Sequence, residues 1–328
     1  MQPPERERIA AGYRRFAAAE ARGRSPLYEA LAHGVAGDPD ILEFLANLPR
    51  GKRQPNLLLA AARSVCGTPQ DFGEFRRQLV ENWDAIRPVM LARSTQTNEP
   101  ARCATLLPVL ARLPHPLALI EVGASAGLCL LPDRYAYDYG RSVIEPSVAP
   151  AVPVPRFQCR ASSRTPLPRR NVQVSWRAGL DRRPLDLADD KDVLWLEALV
   201  WPGEEYRIPR LRAAIEVARA HTPRLVTGDL RYDVEALANE APAESTLVVY
   251  HTAVLAYVCE PDERAAFART VAEIGAVWIA NEGIELIPGA PTKPFGQRAR
   301  KDAFLLCVDG EPVAWTDSHG TWIDWRGP

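Results

Sequence analysis

The sequence lacks the residue patterns that mark zinc sites, disulfide-rich domains and membrane spans. Its six cysteines and five histidines lie far apart, without the close pairs that bind zinc or form a disulfide framework. No apolar run approaches the roughly 20 residues of a membrane-spanning helix, and the first residues alternate in charge where a signal peptide would be apolar. We therefore expect a cytoplasmic protein with reduced cysteines, no bound metal and no membrane partner.

An excess of charge of one sign is lacking as well. The chain has 40 lysines and arginines against 41 aspartates and glutamates, so its formal net charge of −1 gives no sign of the basic surface that nucleic-acid-binding proteins carry. Hydrophobic residues make up 47% of its 328 residues, which is enough for one large domain or two modest ones. We expect a globular protein whose partner is a small molecule, with no nucleic-acid partner.

The most informative segment is a short apolar run that continues into a glycine-containing turn. It reads Leu117-Ala-Leu-Ile-Glu121-Val-Gly123-Ala-Ser125-Ala-Gly127-Leu. This pattern is typical of a buried parallel strand followed by a ligand-binding turn, where glycine permits a left-handed backbone and small side chains let a ligand approach. The acid near the end of the strand would face whatever the turn binds.

Three interpretations of this segment are open. As Gly-x-Ser-x-Gly it is the nucleophile elbow of an α/β-hydrolase, with Ser125 as the nucleophile. Triad partners in the required chain order exist in Asp229 and then His251 or His319. With Glu121 included, the segment resembles the acidic, glycine-rich first motif of S-adenosylmethionine-dependent methyltransferases, although Ser125 stands where that motif usually has its middle glycine. The third interpretation is a core strand whose small residues serve packing alone.

The rest of the chain divides into two predicted regions, residues 1–114 and residues 115–328. The first has apolar residues at helical spacing and no convincing strand, and in the second short apolar strands alternate with helices. The predicted strands are 117–122, 172–176, 224–227, 246–250, 276–280, 303–308 and 312–316, and the predicted helices of the second region are 192–199, 208–220, 234–239 and 262–274. A proline-rich stretch at about 141–170 is predicted to be an insertion and not a crossover helix.

This alternation predicts an α/β fold. We expect a Rossmann-like, doubly wound, mostly parallel sheet of about seven strands, of the methyltransferase type, preceded by an all-helical N-terminal region that covers the site. The last two strands are separated by Asp309-Gly310-Glu311, which predicts a C-terminal antiparallel hairpin. A hydrolase elbow needs several earlier strands in its sheet, and only helices are predicted before Gly123. The order therefore favours the methyltransferase interpretation over the hydrolase.

Candidate site residues follow the predicted strands, because ligands of such sheets bind beyond the carboxyl ends of the strands. Asp181 follows the second strand and is suited to ribose hydroxyls, and Asp229 follows the third and is suited to the exocyclic amine of adenine. His251 follows the fourth strand and is the candidate general base, because histidine titrates near neutrality. Glu282 follows the fifth strand and is predicted to orient the amine or alcohol that accepts the methyl group.

Segments spread over nearly the whole chain carry a resemblance to one bacterial family. They are Gly51-Lys-Arg-Gln-Pro-Asn, Gln96-Thr-Asn-Glu, Glu121-Val-Gly-Ala-Ser-Ala-Gly-Leu, Gly179-Leu-Asp, Leu199-Val-Trp-Pro, His251-Thr-Ala-Val-Leu, Asn281-Glu-Gly and Ala314-Trp-Thr-Asp-Ser-His-Gly. Together they resemble domain-of-unknown-function family 2332. This resemblance supports the boundaries of the predicted fold and implies no particular activity.

The sequence thus predicts S-adenosylmethionine-dependent methyl transfer to an oxygen or nitrogen of a small molecule. The predicted catalytic residues are His251 and Glu282, and the predicted cofactor-binding residues are Glu121, Gly123, Ser125, Gly127, Asp181 and Asp229. The alternatives are a serine hydrolase that uses Ser125 and a non-catalytic nucleoside-binding protein. The tryptophans near the C-terminus suggest a hydrophobic edge and a homodimer contact; they are Trp315, Trp322 and Trp325.

Overall fold

The computed structural model of the chain describes residues 5–296 and 302–327, which form two units. Unit 1 comprises Met1–Thr97 and Asp189–Pro209, and unit 2 comprises Asn98–Ala188 and Arg210–Pro328. The α-helices are α1 (Glu5–Phe16), α2 (Pro26–Gly37), α3 (Pro39–Ala46), α4 (Pro55–Cys66), α5 (Phe72–Glu81), α6 (Trp83–Ala92), α7 (Cys103–Leu110), α8 (Asp190–Ala198), α9 (Arg207–Ala220), α10 (Val234–Ala238) and α11 (Pro261–Glu273). None of the helices described is long and apolar enough to cross a membrane.

Unit 1 contains α1 to α6 and α8, and four of these helices, α2, α3, α5 and α8, begin at a residue whose side chain caps them. Ser25 accepts a hydrogen bond from the backbone at the start of α2, and Asp38 does so at the start of α3. Each is followed by a proline in the first helical position, where a missing N–H costs nothing. These local signals fix where the helices start, and their apolar faces then bury residues such as Leu31 and Ile41.

The segment 189–209 belongs to unit 1, although it lies between two strands of unit 2 in the sequence. The ring of Trp201 packs 5.4 Å from that of Phe16 and 5.7 Å from that of Tyr28. The indole N–H of Trp195 donates a hydrogen bond of 3.0 Å to the carbonyl oxygen of Ser94. The segment falls within the predicted region 115–328, whereas these contacts group it with the helices of unit 1.

Unit 2 contains a nine-stranded sheet and a separate three-stranded sheet, counted over the described residues. The strands are β1 (Leu117–Val122), β2 (Ala136–Asp138), β3 (Val143–Ile144), β4 (Arg156–Gln158), β5 (Arg160–Ala161), β6 (Val174–Asp181), β7 (Arg224–Thr227), β8 (Thr246–Thr252), β9 (Val277–Glu282), β10 (Phe304–Val308), β11 (Glu311–Thr316) and β12 (Trp322–Trp325). The large sheet has the order β5-β12-β11-β10-β9-β8-β1-β6-β7 and is mostly parallel, and the small sheet has the order β3-β2-β4. The predicted mixed α/β fold with a mostly parallel sheet is confirmed, with nine strands where about seven were predicted.

The five neighbouring strands β7, β6, β1, β8 and β9 run parallel and contain the point where the strand order reverses. From β1 the chain proceeds outward through β6 and β7, and it then returns to the other side of β1 with β8 and β9. In doubly wound sheets such a reversal opens a crevice at the carboxyl ends of the two central strands. Here those strands are β1 and β8.

The strands after β9 form an antiparallel meander of β9, β10, β11 and β12. The predicted hairpin is β10–β11, and its turn residues Asp309 and Gly310 have φ angles of 50° and 83°. Trp315, Trp322 and Trp325 are buried within unit 2, with exposures of 1%, 9% and 4%. The predicted homodimer stays a prediction, and these rings are core residues and not an exposed edge.

The loop before β12 packs closely against the backbone of Ala101 at Gly320, and substitutions of glycine test this close approach. A Cβ atom on Gly320 would lie 2.1 Å from the carbonyl oxygen of Ala101, whereas one on Gly310 would meet no atom within 4 Å, and both glycines have positive φ. We expect Gly310→Ala to lower the free energy of unfolding by about 1 kcal/mol, the cost of the backbone conformation alone. Gly320→Ala should cost about 1–3 kcal/mol more, because backbone must move. Urea denaturation measures both, and equal losses would contradict the close approach.

Candidate functional site

The turn after β1 has the left-handed backbone that its sequence predicts. Gly123, Ser125 and Gly127 have φ angles of 71°, 53° and 72°. The backbone N–H of Gly123 donates a hydrogen bond of 2.7 Å to the carbonyl oxygen of Leu180, so the turn is fixed to the end of β6. Ser125 is a non-glycine residue with positive φ, and strain of this kind is concentrated at functional sites.

The segment after the turn forms only a short 3-10 helix, Leu128–Leu130, and no α-helix. Pro132 is the physical reason. It has no N–H to bond the carbonyl four residues earlier, and its ring excludes a regular α-helix there. The carbonyl oxygen of Leu128 instead accepts a hydrogen bond of 2.8 Å from the hydroxyl of Tyr135. No α-helix therefore begins directly at this turn.

The glycines of the turn are surrounded by side chains of unit 2 itself. A Cβ atom on Gly123 would lie 2.5 Å from a methyl carbon of Val254, and one on Gly127 would lie 2.9 Å from the ring of Pro223. Positive φ and tight packing explain why glycine is needed at both positions, with no contribution from a ligand. Their predicted part in cofactor binding stays a prediction.

Asp181, at the end of β6, is joined to the turn by its carboxylate. Its Oδ2 accepts a hydrogen bond of 2.8 Å from the backbone N–H of Ser125, and its Oδ1 accepts one of 2.8 Å from the N–H of Arg183. The structure therefore brings two of the predicted site residues together, at the edge where the order of the parallel strands reverses.

Glu121 is a carboxyl group inside the central strand of the sheet. All six residues of β1 are buried, and Oε2 of Glu121 is fully buried without a hydrogen-bond partner. Burial raises its pKa well above the ordinary value, and neighbouring Cys129 and Asp181 raise the pKa further, while Arg102 lowers it. Because a buried polar group without a partner destabilises the fold, Glu121 is better explained by function than by stability.

Arg102 is a site residue that the sequence analysis missed. It lies at the end of a 3-10 helix, Pro100–Arg102, whose start is capped by the carboxylate of Glu99, and it is 7% exposed. Its Nε donates a hydrogen bond of 2.8 Å to the carbonyl oxygen of Ser318, and its Nη1 donates to the carbonyl and hydroxyl oxygens of Thr252, at 3.2 and 3.3 Å. The one signal in the sequence is an arginine inside an otherwise apolar helical segment.

His251 and Glu282, the two predicted catalytic residues, form a fully buried pair. Nδ1 of His251 lies 2.7 Å from Oε1 of Glu282, and its Nε2 lies 2.9 Å from the indole Nε1 of Trp278. Because an indole N–H only donates, Nε2 is the acceptor and Nδ1 carries the proton that is donated to Glu282. His251 therefore has no free lone pair, so action as a general base would require the Trp278 hydrogen bond to break. The predicted catalytic role stays a prediction.

Glu282 has one oxygen fully engaged and one without a partner. Oε1 accepts hydrogen bonds from His251 and from the backbone N–H groups of Val254 and Leu255, at 2.7, 2.7 and 3.3 Å. Oε2 is fully buried and has no hydrogen-bond partner. Three donors thus hold this carboxylate through Oε1, and Oε2 is left as a buried acceptor without a donor.

Asp229 is engaged in an ion pair with a neighbouring arginine. Its two oxygens accept hydrogen bonds from Nε and Nη2 of Arg231, at 3.0 and 2.8 Å. These bonds hold the pKa of Asp229 below its usual value. Arg231 also pairs with Glu263 at 2.7 Å, so Asp229 belongs to a charged network of its own, and its predicted contact with adenine stays a prediction.

A catalytic triad and a metal site are the two other arrangements that these residue types could form. A hydrolase triad built on His251 would need this histidine beside Ser125, but both of its ring nitrogens are engaged by Glu282 and Trp278. Among residues 5–296 and 302–327, no group of three or more histidine, cysteine, aspartate or glutamate side chains could hold a metal ion. The polar groups best placed for a ligand are therefore those at the carboxyl ends of β1, β6, β8 and β9.

Comparison with known proteins gives one match. A family model described as "Uncharacterized protein conserved in bacteria (DUF2332)" matches residues 10–325. No curated protein and no solved structure matches the chain. The matched range includes both units and every site residue described above.

The unpartnered carboxyl group of Glu121 predicts an unusual dependence of stability on pH. Above the ordinary pKa of glutamate the unfolded chain loses this proton while the folded chain retains it, so the carboxyl group lowers wild-type stability as pH rises toward its raised pKa. We expect Glu121→Gln to be more stable than the wild type at pH 7, by about 1.4 kcal/mol for each unit of the raised pKa. The difference should vanish below about pH 4.

Urea denaturation between pH 4 and pH 8 measures this difference. Glu240→Gln is the matched control, because hydrogen bonds from Arg224 lower the pKa of Glu240 and the sign is reversed. That variant should be slightly less stable than the wild type at pH 7. A Glu121→Gln protein that is less stable than the wild type at pH 7 would contradict the unpaired state of Glu121.

The buried pair predicts how stability responds to loss of the histidine. His251→Ala leaves the carboxylate of Glu282 and the indole N–H of Trp278 without their bonds, so we expect the free energy of unfolding to fall by about 3–5 kcal/mol. Trp278→Phe keeps an aromatic ring but removes the indole donor and some buried volume, and it should cost about 1–3 kcal/mol. Denaturation at neutral pH compares the two, and equal losses would show that the bond to Glu282 contributes nothing.

Proposed function

The chain belongs to the bacterial family that this model describes, and we propose that it transfers a methyl group from S-adenosylmethionine to an oxygen or nitrogen of a small molecule. One observation carries the proposal. The left-handed turn after β1 is bonded to Asp181 at the end of β6, beside the unpartnered carboxyl group of Glu121 and next to the reversal of strand order. Doubly wound sheets bind nucleoside cofactors at this position.

Two features of unit 2 fit this cofactor. Asp181 holds an acceptor carboxylate at the end of the strand next to β1, where ribose hydroxyls are bound in such sheets. Glu121 offers a buried acceptor that lacks a donor, and S-adenosylmethionine carries two positive groups, its sulfonium and its ammonium. Neither Asp229 nor Gly123 is needed for this binding. Asp229 is paired with Arg231, and Val254 occupies the space beside the Cα atom of Gly123.

The chain's own residues would position the acceptor for the reaction. When bound, S-adenosylmethionine supplies an electrophilic methyl group, and alignment of the nucleophile then accounts for much of the catalysis. Glu282 is the residue suited to this task, because its Oε1 is fixed by three donors and its buried Oε2 can accept a hydrogen bond from a hydroxyl or amine. His251 acts as a positioning residue that holds Glu282.

Calorimetric titration with S-adenosylmethionine and S-adenosylhomocysteine tests the proposal. We expect saturable binding of both ligands to the wild type, weakened roughly tenfold in Asp181→Asn through the loss of one charged hydrogen bond. Asp324→Asn is the matched control, because its partner Arg326 lies outside the site, and it should bind like the wild type. Failure of the wild type to bind either ligand would overturn the methyltransferase proposal.

The serine hydrolase remains the second candidate because of one specific observation, the positive φ of Ser125, which nucleophile elbows share. A fluorophosphonate probe distinguishes the two candidates. Under the methyltransferase proposal neither the wild type nor Ser125→Ala is labelled. Labelling of the wild type that disappears in Ser125→Ala would establish the hydrolase instead.

A further inference from the structure

Two buried groups of opposite charge type lie at the same edge of the sheet, and each lacks a charged partner in direct contact. They are Arg102 and Glu121. In the register of β1 and β8, Glu121 is paired with Tyr250, and Thr252, which holds Arg102, follows two residues later on the same strand. The two side chains influence each other electrostatically but form no ion pair. Both belong to unit 2.

The charge of Arg102 is not neutralised by its hydrogen bonds. Its three hydrogen-bond acceptors are neutral oxygens, two backbone carbonyls and one hydroxyl, and it forms no ion pair with any carboxylate of the described residues. Its remaining nitrogen, Nη2, bonds to none of those residues and retains access to solvent. Buried arginines are normally paired, and the planar guanidinium matches a carboxylate best. Arg102 is therefore anchored on one side and open to an anionic group on the other.

Glu121 has the opposite requirement. Its Oε2 is buried without a hydrogen-bond donor, in a strand whose six residues are all buried. A lone anion near Arg102 would leave Oε2 of Glu121 without a donor, and a lone cation near Glu121 would be repelled by Arg102. A group that carries an ammonium and a carboxylate on the same carbon atom satisfies the two residues together.

We propose that Arg102 and Glu121 form a binding site for an α-amino acid group, whose carboxylate bonds to Nη2 of Arg102 and whose ammonium bonds to Oε2 of Glu121. The inference rests on the proposed function, because that function offers two sources of such a group. One source is the amino acid part of S-adenosylmethionine, and the other is an amino acid that accepts the methyl group. The chemistry recognised is the same in both cases.

Three sets of probes separate these sources. S-adenosylhomocysteine carries the nucleoside and the amino acid group, 5′-methylthioadenosine carries the nucleoside alone, and the twenty proteinogenic amino acids carry the amino acid group alone. Calorimetry gives the ratio of the two nucleoside affinities, and thermal denaturation at millimolar concentrations reports binding of each amino acid. All measurements are made on the full chain.

The variants are Arg102→Lys and Glu121→Gln, each with a matched control. Arg177→Lys changes a half-buried arginine that already pairs with Asp133 at 2.7 Å, and Glu240→Gln changes a glutamate paired with Arg224. The control variants report the effect of losing stability alone. The affinity for 5′-methylthioadenosine reports whether the nucleoside site has folded in every protein.

If the group comes from the cofactor, S-adenosylhomocysteine should bind the wild type at least about tenfold more tightly than 5′-methylthioadenosine. This ratio should fall toward one in Arg102→Lys and Glu121→Gln and stay unchanged in both controls. If the group comes from the acceptor, the ratio is near one throughout, and at least one amino acid raises the melting temperature of the wild type and the controls but not of the two variants. Either result supports the site.

The inference and the proposed function can fail separately. Amino acid binding that depends on Arg102 and Glu121, without binding of any nucleoside, would retain the site and overturn methyl transfer. Nucleoside binding with a ratio near one and no stabilising amino acid would retain the proposed function and overturn the site. A tenfold ratio that both variants preserve would also overturn it, because the amino acid group would then be bound elsewhere.

Discussion

The burial of β1 on both faces is the constraint on which the rest of unit 2 depends. A strand in the middle of a parallel sheet is covered on both faces and has no contact with solvent. Each polar group at its end must therefore form its hydrogen bonds with a neighbouring strand or loop. The turn at Gly123 meets this requirement through Leu180, and Ser125 meets it through Asp181. Glu121 does not meet this requirement, because its Oε2 has no hydrogen-bond donor. This is the place where a ligand could supply the missing donor.

Elements whose signal lies within a few residues were predictable from the sequence. The strands β1 and β7 have the predicted bounds, and the hairpin of β10 and β11 follows from Asp309-Gly310. The short strands β5 and β12 were missed, because a two-residue strand has no period and Trp322–Trp325 pairs only in the context of the sheet. The position of 189–209 in unit 1 depends on contacts with α1 and α2, distant in sequence, which no local pattern records.

The candidate site follows the same division. Acids at strand ends could be named from the sequence, since the topology of a doubly wound sheet gathers those ends on one edge. Their partners could not be named. The bonds of His251 to Trp278 and of Asp229 to Arg231 depend on side-chain directions in the folded chain. Arg102 escaped attention because an arginine in a helical segment is ordinarily a surface residue, and only its contacts with distant loops bury it.

Those contacts have a consequence for the order of events during biosynthesis. The bond from Arg102 to Ser318 joins residues separated by 216 positions, and the bond to Thr252 joins residues separated by 150. A ribosome therefore delivers Arg102 long before either anchor has been made. The guanidinium cannot be fixed in place while the chain is still being translated through these regions. A nascent chain that already contains β1 and its turn still lacks the anchors of Arg102 at the carboxyl edge of the sheet. The loop that contains Ser318 supplies the last of them.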